Sequence, residues 1–454
     1  MFYGKYAIAL LKRDYFQLVD MKDKLKIIIK EFHESSLPDL IERQEVFDFS
    51  ILTSSINKVI TIVGPRRAGK TFFLFQIIKK LLKQGADLTD IIYINFEDER
   101  ILPMKADNLQ FILDAYFELY EERESPYIFL DEIQNISGWD KFVRRLNDRG
   151  FTIFITGSNS RMLSREIATS LRGRTLTYEL FPFSFLEFLK AKGIKPGKNV
   201  AYGKKRHQIT RFCDQYFRSG GYPEITFVGD ESVKGRILQD YFNAVFYRDL
   251  VERYRIKNTE LLRQWLNALV MNVSSLISFA KIENDFRSRG MKLSRATLST
   301  FAGYVEDIFF GFFVEMYSAS VRKRQVNPKK FYLIDLAIHN YLTFGFSENR
   351  GRLLENLIFL ALRRKGRPVF YYKTAQGYEV DLLVKDKGKG QLIQVCHDLN
   401  RIDTFSREKK ALVSGLQELG LETGTIVTDH EKRVEKVREF TLNIVPAWEW
   451  LLTL

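Results

Sequence analysis

Residues Val59–Thr71 read VITIVGPRRAGKT, and the fold is decided there. Five β-branched residues run into Gly64-x-x-x-x-Gly69-Lys70-Thr71. A helical pattern then begins, with Leu74, Ile77, Ile78, Leu81 and Leu82 recurring on one face. A strand, a glycine-bearing turn and a helix in this order make a loop whose backbone N–H groups wrap phosphates, aided by the positive end of the helix. The candidate binding residues are Gly64, Pro65, Arg66, Arg67, Ala68, Gly69, Lys70 and Thr71. Lys70 has the reach and charge for the outer phosphates, and the Thr71 hydroxyl suits Mg²⁺. ATP and Mg²⁺ are therefore the expected ligands. No specific role follows from sequence for Arg66 and Arg67.

The rest of the chain has the character of a multi-domain globular protein. Its 454 residues are 45% hydrophobic and 28% charged, and about 150 residues per domain implies roughly three domains. The net charge of +14 fits a polyanionic partner such as DNA. Two cysteines, Cys213 and Cys396, lie far apart and form neither a disulfide framework nor a cysteine-rich zinc site. The five histidines show no ligand spacing. No apolar run of about 18 residues occurs, which argues against a spanning helix. The N-terminal MFYGKYAIALLKRDYFQ lacks the pattern of a signal peptide. The expectation is a cytoplasmic protein with no membrane partner.

Taken in order, residues 1–50 read as an N-terminal arm with a charged amphipathic helix at Lys22–Phe32. Residues 51–181 alternate buried strands (Ile91–Phe96, Tyr127–Asp131, Phe151–Gly157) with helices, which predicts a parallel sheet covered on both faces. Residues 182–256 lose the strand pattern and read as a helical lid, with a GGYPE turn and a long helix through YFNAVFYRDLVERYRI. Residues 257–345 give helices, then GFFVEMYSASV and KKFYLIDLA as strands around a basic tip, a winged helix-turn-helix order. Residues 346–454 return to an α/β pattern.

Chemistry concentrates at four places. Asp131 and Glu132 end a buried strand, where Asp131 can serve Mg²⁺ and Glu132 can polarise an attacking water. Ser158 and Asn159 end the next strand and can orient that water. Arg172 and Arg174 are candidate arginine fingers, in cis or, in a homo-oligomer, in trans. Lys292, Arg295, Thr297 and Ser299 would face a DNA groove, while Arg322, Lys323 and Arg324 would contact phosphates. Last, Glu355, Glu379 and Asp381 can gather around a second metal, with Gln394 and Cys396 standing where a nuclease would have Glu and Lys.

The order GPRRAGKT, YIFLDEIQ, TGSNS, LRGRT, PFSFLEFL, GGYPE, YRDLVERY resembles the prokaryotic AAA-type ATPases that carry a C-terminal restriction-endonuclease-like domain. The resemblance runs from about residue 40 to the end of the sequence. It implies a P-loop AAA+ sheet with a helical lid, Gly64–Thr71 as Walker A, Asp131–Glu132 as Walker B and Ser158–Asn159 as the sensor region. Arg172 or Arg174 would be the finger. Glu355, Glu379, Asp381, Gln394 and Cys396 would fall at the positions of a PD-(D/E)xK nuclease core, with Gln394 and Cys396 departing from that pattern. The expected function is an ATPase that binds DNA and couples hydrolysis to domain rearrangement. An ATP-regulated nuclease and a signalling ATPase that binds a protein are the alternatives.

Overall fold

The computed structural model describes residues 20–45, 47–53, 57–102, 104–158, 171, 173–197, 203, 205–291, 293–343, 350–386, 389–399 and 402–454. They divide into two compact units. The first takes the described residues up to Gly64 with those of Gly69–Leu180, and the second takes Pro65–Ala68 with the described residues from Phe181 onward.

In the first unit, strands β1 (Val59–Val63), β2 (Ile91–Asn95), β3 (Tyr127–Asp131), β4 (Ile153–Gly157) and β5 (Thr175–Glu179) form one parallel sheet in the order β2-β3-β4-β1-β5. The central strands β1, β3 and β4 are near-continuous apolar runs because both faces are covered. Helix Lys70–Lys83 buries Phe73, Leu74, Ile77, Ile78 and Leu81 against the sheet, in a core where Phe129 and Phe154 stack at 4.4 Å. An amphipathic helix covers residues 20–34 and contributes Phe32 to that core. The parallel sheet agrees with the sequence pattern. Strand β5 does not appear in that pattern: TLTYE is a half-buried edge strand, too polar to register as an apolar run.

A parallel sheet of this order brings the C-terminal ends of β1, β3 and β4 side by side. Val63 pairs with Gly157, and Leu130 with Ile155. The turns that follow these strands therefore open on one edge of the sheet, where ligands of α/β folds bind.

The second unit opens with helices. Helix Glu231–Asn243 runs on into a π-helical stretch, Ala244–Glu252, so the single long helix expected from YFNAVFYRDLVERYRI changes winding midway. Gly220 and Gly221 are required by close packing. A Cβ on Gly220 would lie 1.7 Å from Asp335 Oδ1, and one on Gly221 would lie 2.2 Å from the Phe183 carbonyl oxygen. The buried Asp335 carboxylate accepts from Gly221 N at 2.7 Å and from Ala337 N at 2.8 Å.

Next come helices Thr259–Met271, Phe279–Ser288 and Arg295–Asp307. With them are three antiparallel strands, β6 (Ser275–Ile277), β7 (Gly311–Val314) and β8 (Lys329–Leu333), in the order β6-β8-β7. Strand β7 ends at Val314, and the basic tip is itself a short helix, Val321–Val326, capped by Ser320. The sequence pattern implies a basic tip between two strands, with no helix in it. A Ser cap followed by six residues without Gly or Pro instead closes a helical turn.

The C-terminal segment carries helix Arg350–Arg364 and a six-stranded mixed sheet. Its strands are β9 (Val369–Lys373), β10 (Glu379–Asp386), β11 (Lys389–Val395), β12 (Thr423–Thr428), β13 (Arg433–Val437) and β14 (Phe440–Pro446), in the order β13-β14-β12-β11-β10-β9. Helix Ile402–Leu419 packs on this sheet through Ala411, Leu412 and Leu416. The chain continues the β7 direction through a parallel bridge from Met316 to Tyr371 on β9.

Candidate functional site

The glycines of the first loop have separate jobs. Gly69 adopts φ 91°, a left-handed conformation that favours glycine, and caps the start of helix Lys70–Lys83. Gly64 leaves no room for a side chain: a Cβ there would stand 2.0 Å from the Leu180 carbonyl oxygen, and Leu180 N bonds Val63 O at 2.6 Å. Ala68 is fully buried.

Thr71 Oγ1 donates to Asp131 Oδ2 at 2.7 Å, and Lys70 Nζ lies 3.1 Å from Glu132 Oε1. The four residues singled out for phosphate and Mg²⁺ chemistry are thus assembled at the ends of β1 and β3. Asp131 is buried, and burial raises its pKa against the opposing hydrogen bonds from Thr156 and Thr71. A buried carboxylate facing a threonine hydroxyl is a hard-oxygen pair of the kind Mg²⁺ takes. The residues present fit that ion.

Three further residues complete this corner. Thr156 Oγ1 donates to Asp131 Oδ1 and accepts from Glu132 N at 2.8 Å. Tyr93 OH donates to Asp131 Oδ2 at 3.0 Å, and burial, then the Asp131 charge, raises the phenol's pKa. Gln134 Nε2 donates to Glu132 Oε2 and lies 3.5 Å from Ser158 Oγ. The sequence reading passed over all three. The one signal for Thr156 is a polar residue inside the apolar run IFITG, next to the strand that ends in Asp131.

Glu132 itself has φ 53°, rare for a residue with a side chain. The turn aims its carboxylate back at Lys70.

Ser158 is buried at the end of β4. Asn159 and Arg172 lie outside the described residues. Arg174 is placed far from the loop: its carbonyl accepts from Val59 N at 2.8 Å, at the start of β1, and its guanidinium pairs with Asp148. The phosphate loop leaves the other end of β1, about 15 Å away. This corrects the cis reading for Arg174, because parallel β5 starts at the opposite sheet edge.

Within the second unit, Arg66 sets Nε and Nη2 on the two Asp249 oxygens at 2.9 and 3.1 Å. Arg67 has φ 62° and lies 3.7 Å from Glu224. Arg295 is exposed, but its Nε sits 2.7 Å from Glu283. The Thr297 N–H caps on Ser294 Oγ, and Ser299 is exposed. Arg322 and Lys323 are exposed on the short helix, while Arg324 is half-buried there. Lys292 lies outside the described residues.

The structure does bring Glu355, Glu379 and Asp381 together, but around a cation of the chain's own. Lys330 Nζ lies 3.0, 2.8 and 3.0 Å from Glu355 Oε1, Glu379 Oε1 and Asp381 Oδ1. Among the described residues, no group of three or more His, Cys, Asp or Glu is disposed to hold a metal ion. The expectation of a second metal site is corrected on that ground: the ammonium takes the centre of the carboxylates. The same residues do not fit the metal that a nuclease core implies. No helix among the described residues is long and apolar enough to cross a membrane.

A five-stranded parallel sheet with this loop and acidic corner defines an AAA-type P-loop protein, and residues 56–189 match the AAA domain family. Residues 210–349 and 350–450 match two domains of unknown function, DUF8612 and DUF4143. The chain belongs to the family of protein MJ1544 of Methanocaldococcus jannaschii, to which it is 39% identical over 95% of this chain and 97% of that one. A Haemophilus influenzae protein is 28% identical over 83% of this chain and 94% of its own. Among solved structures, AMPPCP-bound DnaA from Aquifex aeolicus matches with TM-score 0.28 and 15% identity, covering 57% of this chain and 85% of that one. Cdc6p from Pyrobaculum aerophilum matches with TM-score 0.27 and 14% identity, over 70% and 98%. Overlaps that loose carry no functional argument.

Proposed function

We propose that this chain binds and hydrolyses ATP in the cytoplasm and uses the cycle to act on DNA. The observation that carries the first half is the corner where Thr71 meets Asp131 and Lys70 meets Glu132. In the proposed reaction the loop N–H groups and Lys70 bind the phosphates. Thr71 and Asp131 would hold Mg²⁺, which neutralises charge on the phosphate oxygens when bound. Glu132 leaves Lys70 and orients the attacking water, with Gln134, whose amide also reaches Ser158, steadying its carboxylate.

The DNA half rests on the net charge of +14 and on the segment 257–345. Three helices, a sheet in the order β6-β8-β7 and a basic excursion between β7 and β8 support the winged-helix reading. One observation favours a protein partner instead. The exposed positions of helix Arg295–Asp307 include Ala296, Ser299 and Thr300, and its Arg295 is already paired.

The deciding experiment is the ATPase rate with and without single-stranded, double-stranded and branched DNA, with Lys70→Ala as the blank. Stimulation by one DNA form supports the proposal. Unstimulated turnover, with no DNA shift at low salt, rejects the DNA half. Turnover surviving in Lys70→Ala rejects the site.

A further inference from the structure

A carboxylate centre built for a metal needs open oxygen lone pairs and no competing cation. The C-terminal centre already has a cation in place. Glu379 and Asp381 are two apart on β10 and share a face, and Glu355 approaches from helix Arg350–Arg364. The β9–β10 register shifts between Val380 and Leu383, an irregularity that re-aims the strand at Asp381. Into this cluster comes Lys330, from β8, its side chain 2% exposed.

An ammonium has three N–H donors. Here three carboxylates lie at hydrogen-bond distance of Nζ, which matches that capacity. Two of the three carboxylates make further bonds. Tyr332, on the same face of β8 as Lys330, donates its OH to Glu355 Oε1 at 2.6 Å. Val395 N donates to Asp381 Oδ2 at 3.0 Å. Gln394 is turned away from the centre: its Oε1 accepts from Asp381 N at 3.2 Å and its Nε2 donates to Glu408. Cys396 donates to the Asp398 carbonyl, and burial raises its thiol to about 11, so it supplies no charge.

We infer that Lys330 is the resident cation of this centre, standing where a divalent metal would stand, and that it closes the C-terminal sheet to metal-dependent cleavage of nucleic acid. A divalent ion would need the same carboxylate oxygens at about 2.0–2.5 Å. It cannot share them with an ammonium at hydrogen-bond distance. The electrostatics agree with the geometry. Burial pulls the Lys330 pKa down, but Glu355 and Asp381 outweigh it and hold the lysine charged. Burial, then Asp381, pushes Glu355 up to about 8, against the pull of Lys330. The lysine missing near Cys396 in sequence is thus supplied in space by a residue far upstream. Its role there is occupancy of the cation place, and it also fastens β8 to β10.

The test uses the full chain, free of nucleotide, in a Lys70→Ala background that silences the first site. Mn²⁺ binding is read by spin resonance, and plasmid cleavage with Mg²⁺ or Mn²⁺ by gel. The expected result is that Asp381→Asn changes neither reading. Lys330→Met should lower Tm by about 5 °C or more, because it leaves buried carboxylates without their cation. That loss should be smaller in a Glu355→Gln background. One Mn²⁺ per chain that disappears in Asp381→Asn, cleavage that disappears in Asp381→Asn, or an unchanged Tm in Lys330→Met would each overturn the inference. If Lys330→Met does not fold, the Mn²⁺ and cleavage comparison with Asp381→Asn still decides it.

Discussion

Lys70 Nζ lies 3.1 Å from Glu132 Oε1, so the residue that should grip phosphate and the residue that should orient water hold each other. Both side chains are largely buried, at 4% and 12% exposure. Each neutralises the other until phosphate oxygens compete for the ammonium.

The two partners should separate in function. Glu132→Gln keeps size and hydrogen bonding but loses the charge. It should retain ATP binding, by equilibrium titration with a fluorescent ATP analogue, and lose hydrolysis by about 10²-fold or more. Lys70→Ala should lose both. Normal turnover in Glu132→Gln would remove Glu132 from the water-orienting role.

Gly64→Ala tests the packing of the loop. The new methyl would stand 2.0 Å from a backbone oxygen that cannot rotate away. Overpacking of this kind costs about 1–3 kcal/mol. A lower Tm and at least tenfold weaker nucleotide binding are expected. A variant with wild-type affinity and Tm would show that β1 and the chain at Leu180 are not so tightly fixed.

Arg174→Ala should change turnover less than twofold in dilute protein, since Arg174 pairs with Asp148 and lies at the far end of the sheet from the phosphate loop. A large loss that appears only at high protein concentration would identify a finger acting between copies of the chain.

Asp335 gives a pH dependence with a definite sign. Burial pushes its carboxyl up to about 6, against the N–H bonds from Ala337 and Gly221. The unfolded chain titrates this group near 3.9. Between about pH 4 and 6 the folded state therefore holds more protons than the unfolded state, and stability falls as pH rises through that window. Asp335→Asn should be less stable at acid pH but should lose this slope, read as the wild-type minus variant Tm at several pH values.

Arg322→Ala with Lys323→Ala tests the exposed basic helix. If both contact phosphates, DNA affinity should drop, and the slope of log K against log salt should become shallower by up to about 2. An unchanged slope would place the DNA contacts elsewhere.

The first unit was largely legible in the sequence because its signals are local. β-branched runs, a Gly-Lys-Thr helix start and an acidic strand end each sit within a few residues, and a parallel sheet places their ends together without further instruction. What sequence could not supply is whatever depends on cross-strand neighbours. Thr156, Tyr93 and Gln134 come from separate segments and look ordinary until β2, β3 and β4 are side by side. Arg174 looks like a finger for its own site until the direction of β5 is known.

The C-terminal centre marks the sharpest division. The sequence alone determined which carboxylates would meet, because Glu379 and Asp381 alternate on one strand face and Glu355 lies on an apolar helix. It could not say what they meet. Lys330 reads as one more basic residue in NPKKFYL, and only the pairing of β8 with its neighbours and its docking on β10 turn that lysine inward. The physical reason is range. Apolar periodicity and turn chemistry act over a few residues, whereas the partner of a buried charge is chosen by whichever chain arrives beside it in three dimensions.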